Sequence, residues 1–356
     1  MATRHVSSEQ DSKHGIRQRS NSTAKALDLL QLALTCQSPV DAKLHVREAH
    51  RLLAECTASL DQSNLATARQ NSGFLAEEEE DHGCSSASIS NSDDVTRGLN
   101  NESIIQRFRL VNKVALVTGA GQGIGRAFAH ALGEAGASVA VADINLKMAQ
   151  LVTEELRSKG INSIAVHTDV SKKADCAKMV ETVVAELGGL HIAVNNAGII
   201  RNSPAEDTTE EEWDLTFAIN TKGVFFSCQE EGRHMLAQRY GKIINTASLN
   251  TVVVLHPEKQ IAYNASKAAV AKITQTLGTE WADRGLNVNC ISPGIVDTAL
   301  VQKAKDRFLD VWLPQIPAGR LAQVTDLQAA IVFMASDASS HMIGHNLVID
   351  GGQSIW

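Results

Sequence analysis

The chain has 356 residues, 44% of them hydrophobic and 21% charged, which excludes a wholly disordered or collagen-like polymer. Its formal net charge of −7, from 33 basic and 40 acidic residues, argues against a nucleic-acid-binding surface. Six cysteines with neither a Cys-x-x-Cys nor a Cys/His ligand spacing argue against a disulfide scaffold and against a metal site.

Residues 1–23 are polar, Ser-rich and aperiodic, so disorder is expected there. They hold no apolar core of a secretory signal. Arg4, Lys13, Arg17 and Arg19 faintly suggest an import sequence, but Glu9 and Asp11 count against it. No apolar run reaches the roughly 18–20 residues that span a bilayer. A cytoplasmic protein without membrane attachment is therefore expected. Residues 24–61 read as a helical hairpin. Leu27, Leu30 and Leu34 mark one helix, and Val46, Ala49, Leu53, Cys56 and Leu60 mark the next after Ser38-Pro39. The acidic run Glu77–Asp81 and the serines around Ser88 make residues 62–104 a linker.

From residue 105 to 356 the pattern changes to short β-rich runs separated by helical stretches. Strands are expected at 114–119, 138–143, 163–170, 191–198, 241–248, 286–294 and 346–352. Nearly continuous apolar strands alternating with helices predict an α/β domain: a doubly wound, parallel Rossmann sheet with helices on both faces.

The turn after the first strand reads Thr118-Gly119-Ala120-Gly121-Gln122-Gly123-Ile124-Gly125. Gly119 permits the tight turn, Gly123 leaves room for a pyrophosphate, and Gly125 lets the helix pack on the sheet. The helix N-terminus offers free N–H groups to the phosphates. Asp143 ends the second strand, where a carboxylate accepts the ribose hydroxyls of NAD and repels the 2′-phosphate of NADP. NAD is thus expected over NADP. Arg126, the one basic residue close in sequence, is expected on the exposed helix face.

Tyr263 and Lys267 stand four apart, on one face of a predicted helix. An ammonium there lowers the phenol pKa and fits the tyrosine for acid/base work on an alcohol/ketone pair. Ser248 ends the strand fifteen residues upstream and presents a hydroxyl to the substrate oxygen.

With these motifs the chain resembles the short-chain dehydrogenase/reductase family over about residues 107–356. The likeness also rests on Asp169-Val170, Asn195-Asn196-Ala197-Gly198, Asn220, Pro293-Gly294 and Asp350-Gly351-Gly352. It implies that Ser248, Tyr263, Lys267 and Asn220 are catalytic, Asn220 through a water that links Lys267 to solvent. It implies further that Asp169 and Val170 hold the adenine, that Asn195 lines the cofactor cleft, and that Ile295, Val296 and Thr298 contact the nicotinamide carboxamide. Asn195 and Asn196 also allow a purely structural reading, as strand-end residues. A homodimer or homotetramer is implied, paired through the helices after Asn220 and Tyr263.

The spacing from Ser248 to Tyr263 is longer than in many members of the family. It resembles the fungal sugar-alcohol branch, whose enzymes act on D-arabinitol, mannitol and sorbose, and the C-terminal stretch from Gly344 to Trp356 resembles the D-arabinitol enzymes in particular. A small polyol/ketose substrate is implied. The loop interior Thr251–Leu255 is apolar for such a substrate, leaving His256, Glu258, Lys259 and Gln260 as its polar groups. That keeps open an alternative of the same family, a 3-oxoacyl-thioester or hydroxysteroid-type ketone reductase. Residues 296–320 predict an amphipathic lid. There Phe308, Trp312 and Leu313 either cover the nicotinamide or pack on the core.

Overall fold

Every residue of Val114–Thr118 is buried, and so is every residue of Leu286–Pro293. Strands covered on both faces need helices on both sides. The computed structural model describes residues 103–356. The expectations for residues 1–23, 24–61 and nearly all of 62–104 lie outside the described residues. The first element is a one-turn helix, α1 (Ile104–Arg107).

The chain then runs β1 (Val114–Thr118), α2 (Gly123–Glu134), β2 (Ser138–Asp143), α3 (Leu146–Ser158), β3 (Ser163–His167), α4 (Lys173–Leu187) and β4 (Ile192–Asn195). The second half runs α5 (Glu210–Phe217), α6 (Val224–Gln238), β5 (Gly241–Thr246), α7 (Ile261–Trp281), β6 (Leu286–Pro293), α8 (Gln302–Trp312), α9 (Gln328–Ala335) and β7 (Asn346–Ile349). All seven strands form one parallel sheet in the order β3-β2-β1-β4-β5-β6-β7. This is the doubly wound Rossmann architecture that the alternating pattern predicts.

Two apolar cores flank the sheet. On one face Phe128 and Leu132 of α2, Val152 and Leu156 of α3, and Ile331 and Met334 of α9 pack against it. On the other face lie Met179 and Val183 of α4, Met235 of α6, and Val270 and Leu277 of α7. Strand order reverses between β1 and β4, so their carboxyl ends diverge and open a crevice. Thr209 caps α5 by accepting from the Glu212 N–H, and Glu210, Glu211 and Glu212 fill its first turn, where the helix dipole favours acids.

Two local features depart from a plain reading of the pattern. Between α5 and α6 the helix widens into a π-helical segment, Ala218–Gly223, that contains Asn220. The expected lid is helical over α8 and the 3-10 turn Leu313–Gln315 that follows it. The segment before α8 is tied down by the Val296–Ala322 bridge and by a 2.6 Å ion pair between Lys305 and Asp297.

Among the described residues no helix is long and apolar enough to cross a membrane. No group of three or more His, Cys, Asp or Glu among them is placed to hold a metal.

Candidate active site

A cleft of about 530 Å³ opens at the carboxyl edge of the sheet. One end is the glycine turn. Gly119 stands at φ +61, a conformation that disfavours a side chain. A Cβ on Gly125 would collide with the Gly119 carbonyl oxygen and the Asn196 amide, so only glycine lets α2 come this close. Across the cleft from Gly123 the first side chain a Cβ would meet is Thr298, at 3.7 Å. The Gln122 side chain makes no capping bond at the start of α2, which leaves the helix N–H groups to a ligand.

Asp143 sits at the end of β2 and is fixed there. Its Oδ2 accepts from the Gly121 N–H at 2.9 Å, and its Oδ1 accepts from the Asn145 N–H at 2.8 Å. Arg126 is drawn away: its guanidinium pairs with Glu155 of α3 at 2.8 Å, on a half-exposed helix face. Of the described residues that line the cleft, Lys267 is the only basic one. Val170, Val296 and Thr298 line it as well. Asp169 also does so, its Oδ1 accepting from the Ser171 hydroxyl at 2.6 Å. That bond, with Lys172 nearby, holds the Asp169 carboxyl below its ordinary pKa against the opposing pull of burial.

These features fit a dinucleotide without forcing: a cradle that side chains would fill, free helix N–H groups, and a fixed carboxylate at ribose reach. The expectation for Asn195 needs correction. Asn195 does not line the cleft. Its Nδ2 donates into the protein, to Glu231 Oε2 at 2.9 Å and Asn245 Oδ1 at 3.1 Å. Its neighbour Asn196 takes the wall and clasps β1, donating to the Thr118 and Gly119 carbonyls at 3.1 and 3.2 Å. Strand alternation separates the two: residue 195 faces the helix α6, residue 196 the crevice.

The other end of the cleft holds Ser248, Tyr263 and Lys267. Ser248 follows β5, and Tyr263 and Lys267 stand one turn apart on α7. Lys267 is buried, its Nζ 5.8 Å from the Tyr263 ring centroid and donating to the Thr246 carbonyl at 2.7 Å. The Ser248 hydroxyl donates to Asn250 Oδ1 at 3.0 Å and accepts from the Asn250 N–H. Burial pushes the Tyr263 phenol above its ordinary pKa, and hydrogen bonding with Ser248 pulls it back. Lys267, expected to lower that pKa, holds its ammonium beside the same ring. Burial also acts on Lys267 itself, bringing its pKa down to about 8, with Cys290 opposing.

Asn220 is fully buried. Its side-chain amide closes a ring with Ile199, donating to the carbonyl and accepting from the N–H, both at 2.9 Å, and it donates to Ser266 Oγ at 3.1 Å. An atom at the Cβ position of Gly198 would lie 3.3 Å from Asn220 Oδ1 and 3.5 Å from Lys267 Nζ, so both polar groups flank the same glycine.

The wall between Ser248 and Tyr263 differs from the apolar surface its sequence suggests. Val252 and Val254 are 53% and 77% exposed and point away. Leu255, Glu258 and Gln260 line the cleft from this loop together with Asn250, whereas His256 and Lys259 are exposed and stay outside it. Asn250 was not evident from the sequence, nor was the amide chain it starts. Its Nδ2 donates to Asn264 Oδ1 at 2.5 Å, and Gln260 Nε2 donates to Asn202 Oδ1 at 2.8 Å. The only sequence signal is the density of Asn and Gln on either side of Ser248 and Tyr263. Trp312 packs on the core, as one of its two readings had it: it is 1% exposed and packs with Ile295, Ile316 and Leu321, at the edge of the cleft.

A dinucleotide cradle that meets a hydroxyl, a phenol and an ammonium in one cleft defines an oxidoreductase of alcohols and ketones. Comparison with known proteins agrees. The family model described as Enoyl-(Acyl carrier protein) reductase matches residues 119–354. D-threitol dehydrogenase of Mycolicibacterium smegmatis is 42% identical over 249 residues, 70% of this chain and 95% of its own. NAD-dependent glycerol dehydrogenase of Listeria innocua is 39% identical, over 70% of this chain and 96% of its own. A 3-oxoacyl-[acyl-carrier-protein] reductase of Staphylococcus epidermidis is 38% identical, over 68% and 99%. The crystal structure of a short-chain type dehydrogenase/reductase from Mycobacterium marinum superimposes with a TM-score of 0.70 at 37% identity, covering 71% of this chain and all of that one. The chain belongs to the short-chain dehydrogenase/reductase family.

Proposed function

We propose that this protein is an NAD-dependent polyol dehydrogenase that interconverts a secondary carbinol of a sugar alcohol and the corresponding ketose, similar to D-arabinitol 2-dehydrogenase of the fungal polyol branch. The observation that carries the reading is the largely polar wall beside the reacting groups: Asn250, Glu258 and Gln260 line the cleft with Leu255, while Val252 and Val254 of their loop are exposed. A site that hydrogen-bonds hydroxyls discriminates strongly against substrates without them. The dehydrogenases of threitol and glycerol among the relatives support the class.

NAD is the preferred cofactor in this reading. Asp143 stands at the adenosine end, Arg126 is held by Glu155, and among the described residues no basic side chain other than Lys267 lines the cleft. A 2′-phosphate there meets a carboxylate and no cation. The glycine turn, Asp143, Asp169, Val170, Val296 and Thr298 would hold the dinucleotide. When bound, it supplies the hydride acceptor or donor.

The chain's own residues handle the proton and the geometry. Ser248 orients the carbinol oxygen and stabilises charge on it. Tyr263 takes the hydroxyl proton on oxidation and returns it on reduction. Lys267 keeps a cation near the phenol and passes the proton toward the Asn220 side of the cleft. Asn195 has no part in this; it supports the sheet from behind.

A second reading is reduction of a 3-oxoacyl thioester, favoured by Ile199, Ile200 and Leu300 along the cleft and by the reductase relative. Steady-state assays of D-arabinitol, threitol, glycerol and a 3-oxoacyl thioester with both cofactors decide between them. Highest kcat/KM on a polyol with NAD supports the first reading; highest kcat/KM on the thioester rejects it. A homodimer or homotetramer paired through α6 and α7, which carry the exposed Phe225 and Ile261, is part of this reading. Light scattering of the purified chain measures it directly.

A further inference from the structure

A serine hydroxyl has one proton to give and two lone pairs to offer, and at Ser248 a single residue engages most of them. Asn250 Oδ1 accepts the proton at 3.0 Å, and the Asn250 N–H donates to Oγ at 3.2 Å. One lone pair is left for the cleft, which both residues line. The two bonds do different things. The main-chain N–H holds the oxygen in place, and the side-chain Oδ1 holds the direction of the proton. Turning that proton to a substrate oxygen breaks only the second bond.

A carboxamide has two orientations of the same shape, one with its oxygen toward Ser248 and one with its NH2 there. Asn250 is 8% exposed, so its NH2 needs acceptors within the protein. It finds Asn264 Oδ1 at 2.5 Å and Gln260 Oε1 at 3.4 Å. Gln260 is held in that sense from its far side, where Nε2 donates to Asn202 Oδ1 at 2.8 Å. A reversed Asn250 amide would set its oxygen against those oxygens, and its NH2 could not accept the Ser248 proton. The shorter contact is the stronger hold, and it comes from Asn264. Asn264 does not line the cleft. It is the residue after Tyr263 on α7, so the helix that presents the phenol also directs the hydroxyl at the end of β5.

We propose that Asn264 is a positioning residue: acting through the Asn250 amide, it sets the direction of the Ser248 hydroxyl and so the rate of the alcohol/ketone step. The inference rests on the role given to Ser248 above and holds for a polyol and a thioester alike. Without the acceptor, the Asn250 amide turns freely and the Ser248 proton loses its fixed place. The substrate oxygen then meets Ser248 in a mixture of arrangements. Lost alignment at a reacting centre is felt in kcat.

The test uses the full chain and measures kcat and KM for D-arabinitol with NAD, or for the 3-oxoacyl thioester with NADH if that is the substrate turned over. It compares the wild type with Asn264→Leu, Asn264→Asp, Ser248→Ala and the double variant Ser248→Ala/Asn264→Leu. Leucine fills the space of the amide without an acceptor, and aspartate keeps an acceptor oxygen. Thermal melting and NAD titration establish that each variant is folded; if Asn264→Leu is not, Asn264→Ala takes its place in both backgrounds. Asn264→Leu is expected to lower kcat about 10-fold with KM within about twofold, and Asn264→Asp to recover most of that loss. Ser248→Ala lowers kcat about 100-fold, and in that background Asn264→Leu costs nothing further, because it acts through the missing hydroxyl. If Asn264→Leu costs the same factor with and without Ser248, or nothing in either, the relay is wrong while Ser248 keeps its role. If Ser248→Ala turns over like the wild type, the role of Ser248 fails and the relay with it.

Discussion

Lys267 donates from Nζ to the main-chain carbonyl of Thr246 at 2.7 Å, which ties the catalytic helix α7 to the end of strand β5. The ammonium is buried and its pKa is lowered to about 8 by that burial. An unfolded chain keeps the same lysine protonated to a pKa of 10.5. Between those values the unfolded state binds more protons, so stability rises with pH there. Below about 8 both states are charged and the cost of burying the charge is felt in full. Lys267→Met removes that charge. Its melting temperature is expected to rise less than that of the wild type between pH 8 and 10, while turnover falls about 100-fold or more. Melting curves across that range check the first point, and a slope equal to that of the wild type contradicts it.

Tyr263 is the group whose loss is felt in chemistry alone. Its phenol, raised by burial and drawn back by Ser248, has no charge to contribute to binding at neutral pH. Tyr263→Phe is expected to lower kcat by about 10²–10⁴-fold and leave the Kd for NAD within about twofold. Ser248→Ala removes the bond that opposes burial. It should move the ascending, acid-side limb of the kcat/KM profile for alcohol oxidation to higher pH. Unchanged profiles would place the titrating group elsewhere.

The strand-and-helix alternation was readable because each β run is short and apolar and several helix starts carry a glycine or a cap, as at Gly123, Asn145 and Thr209. The site was readable where one motif fixes one geometry: the glycine turn, Asp143, and Tyr263 with Lys267 one helical turn apart. Three features were not. Asn195 and Asn196 are chemically identical neighbours, and only the strand's alternation says which of them faces the crevice. The wall after Ser248 reads as apolar in sequence, yet Val252 and Val254 turn outward and leave Leu255 as its apolar part beside Asn250, Glu258 and Gln260. Asn220 sits in a π-helical widening, which has no sequence period of its own.

Asp143 gives a cofactor prediction that does not depend on the substrate. Its carboxylate accepts from the N–H groups of Gly121 and Asn145, so it shapes the turn as well as repelling phosphate. Asp143→Ser keeps a short acceptor and removes the charge. The ratio of kcat/KM for NADP over NAD is expected to rise about 10- to 100-fold, mostly through KM for NADP. Glu155→Ala frees Arg126 from its ion pair and should add to that change in the double variant. A ratio unmoved by Asp143→Ser would remove Asp143 as the selecting group.

The buried acid behind the sheet makes the last prediction. Glu231 on α6 is fully buried, and burial raises its pKa to about 8 against the opposing bond from Asn195. That bond is one link in a chain in which Asn195 also donates to Asn245, and Asn245 donates to Thr274 of α7 at 2.9 Å. The folded protein keeps Glu231 protonated at neutral pH while the unfolded chain ionises it above about 4.5. Its favourable contribution is complete below pH 4.5 and is lost as pH rises to about 8. At about 1.4 kcal/mol per pH unit, that loss amounts to about 3 kcal/mol by pH 7. Glu231→Gln keeps the size and an acceptor for Asn195 but cannot ionise. It should equal the wild type near pH 4.5 and exceed it in stability at pH 7 and above. Urea unfolding at both pH values measures the difference. A variant destabilised equally at the two would show that Glu231 is ionised in the folded protein and that its charge is needed there.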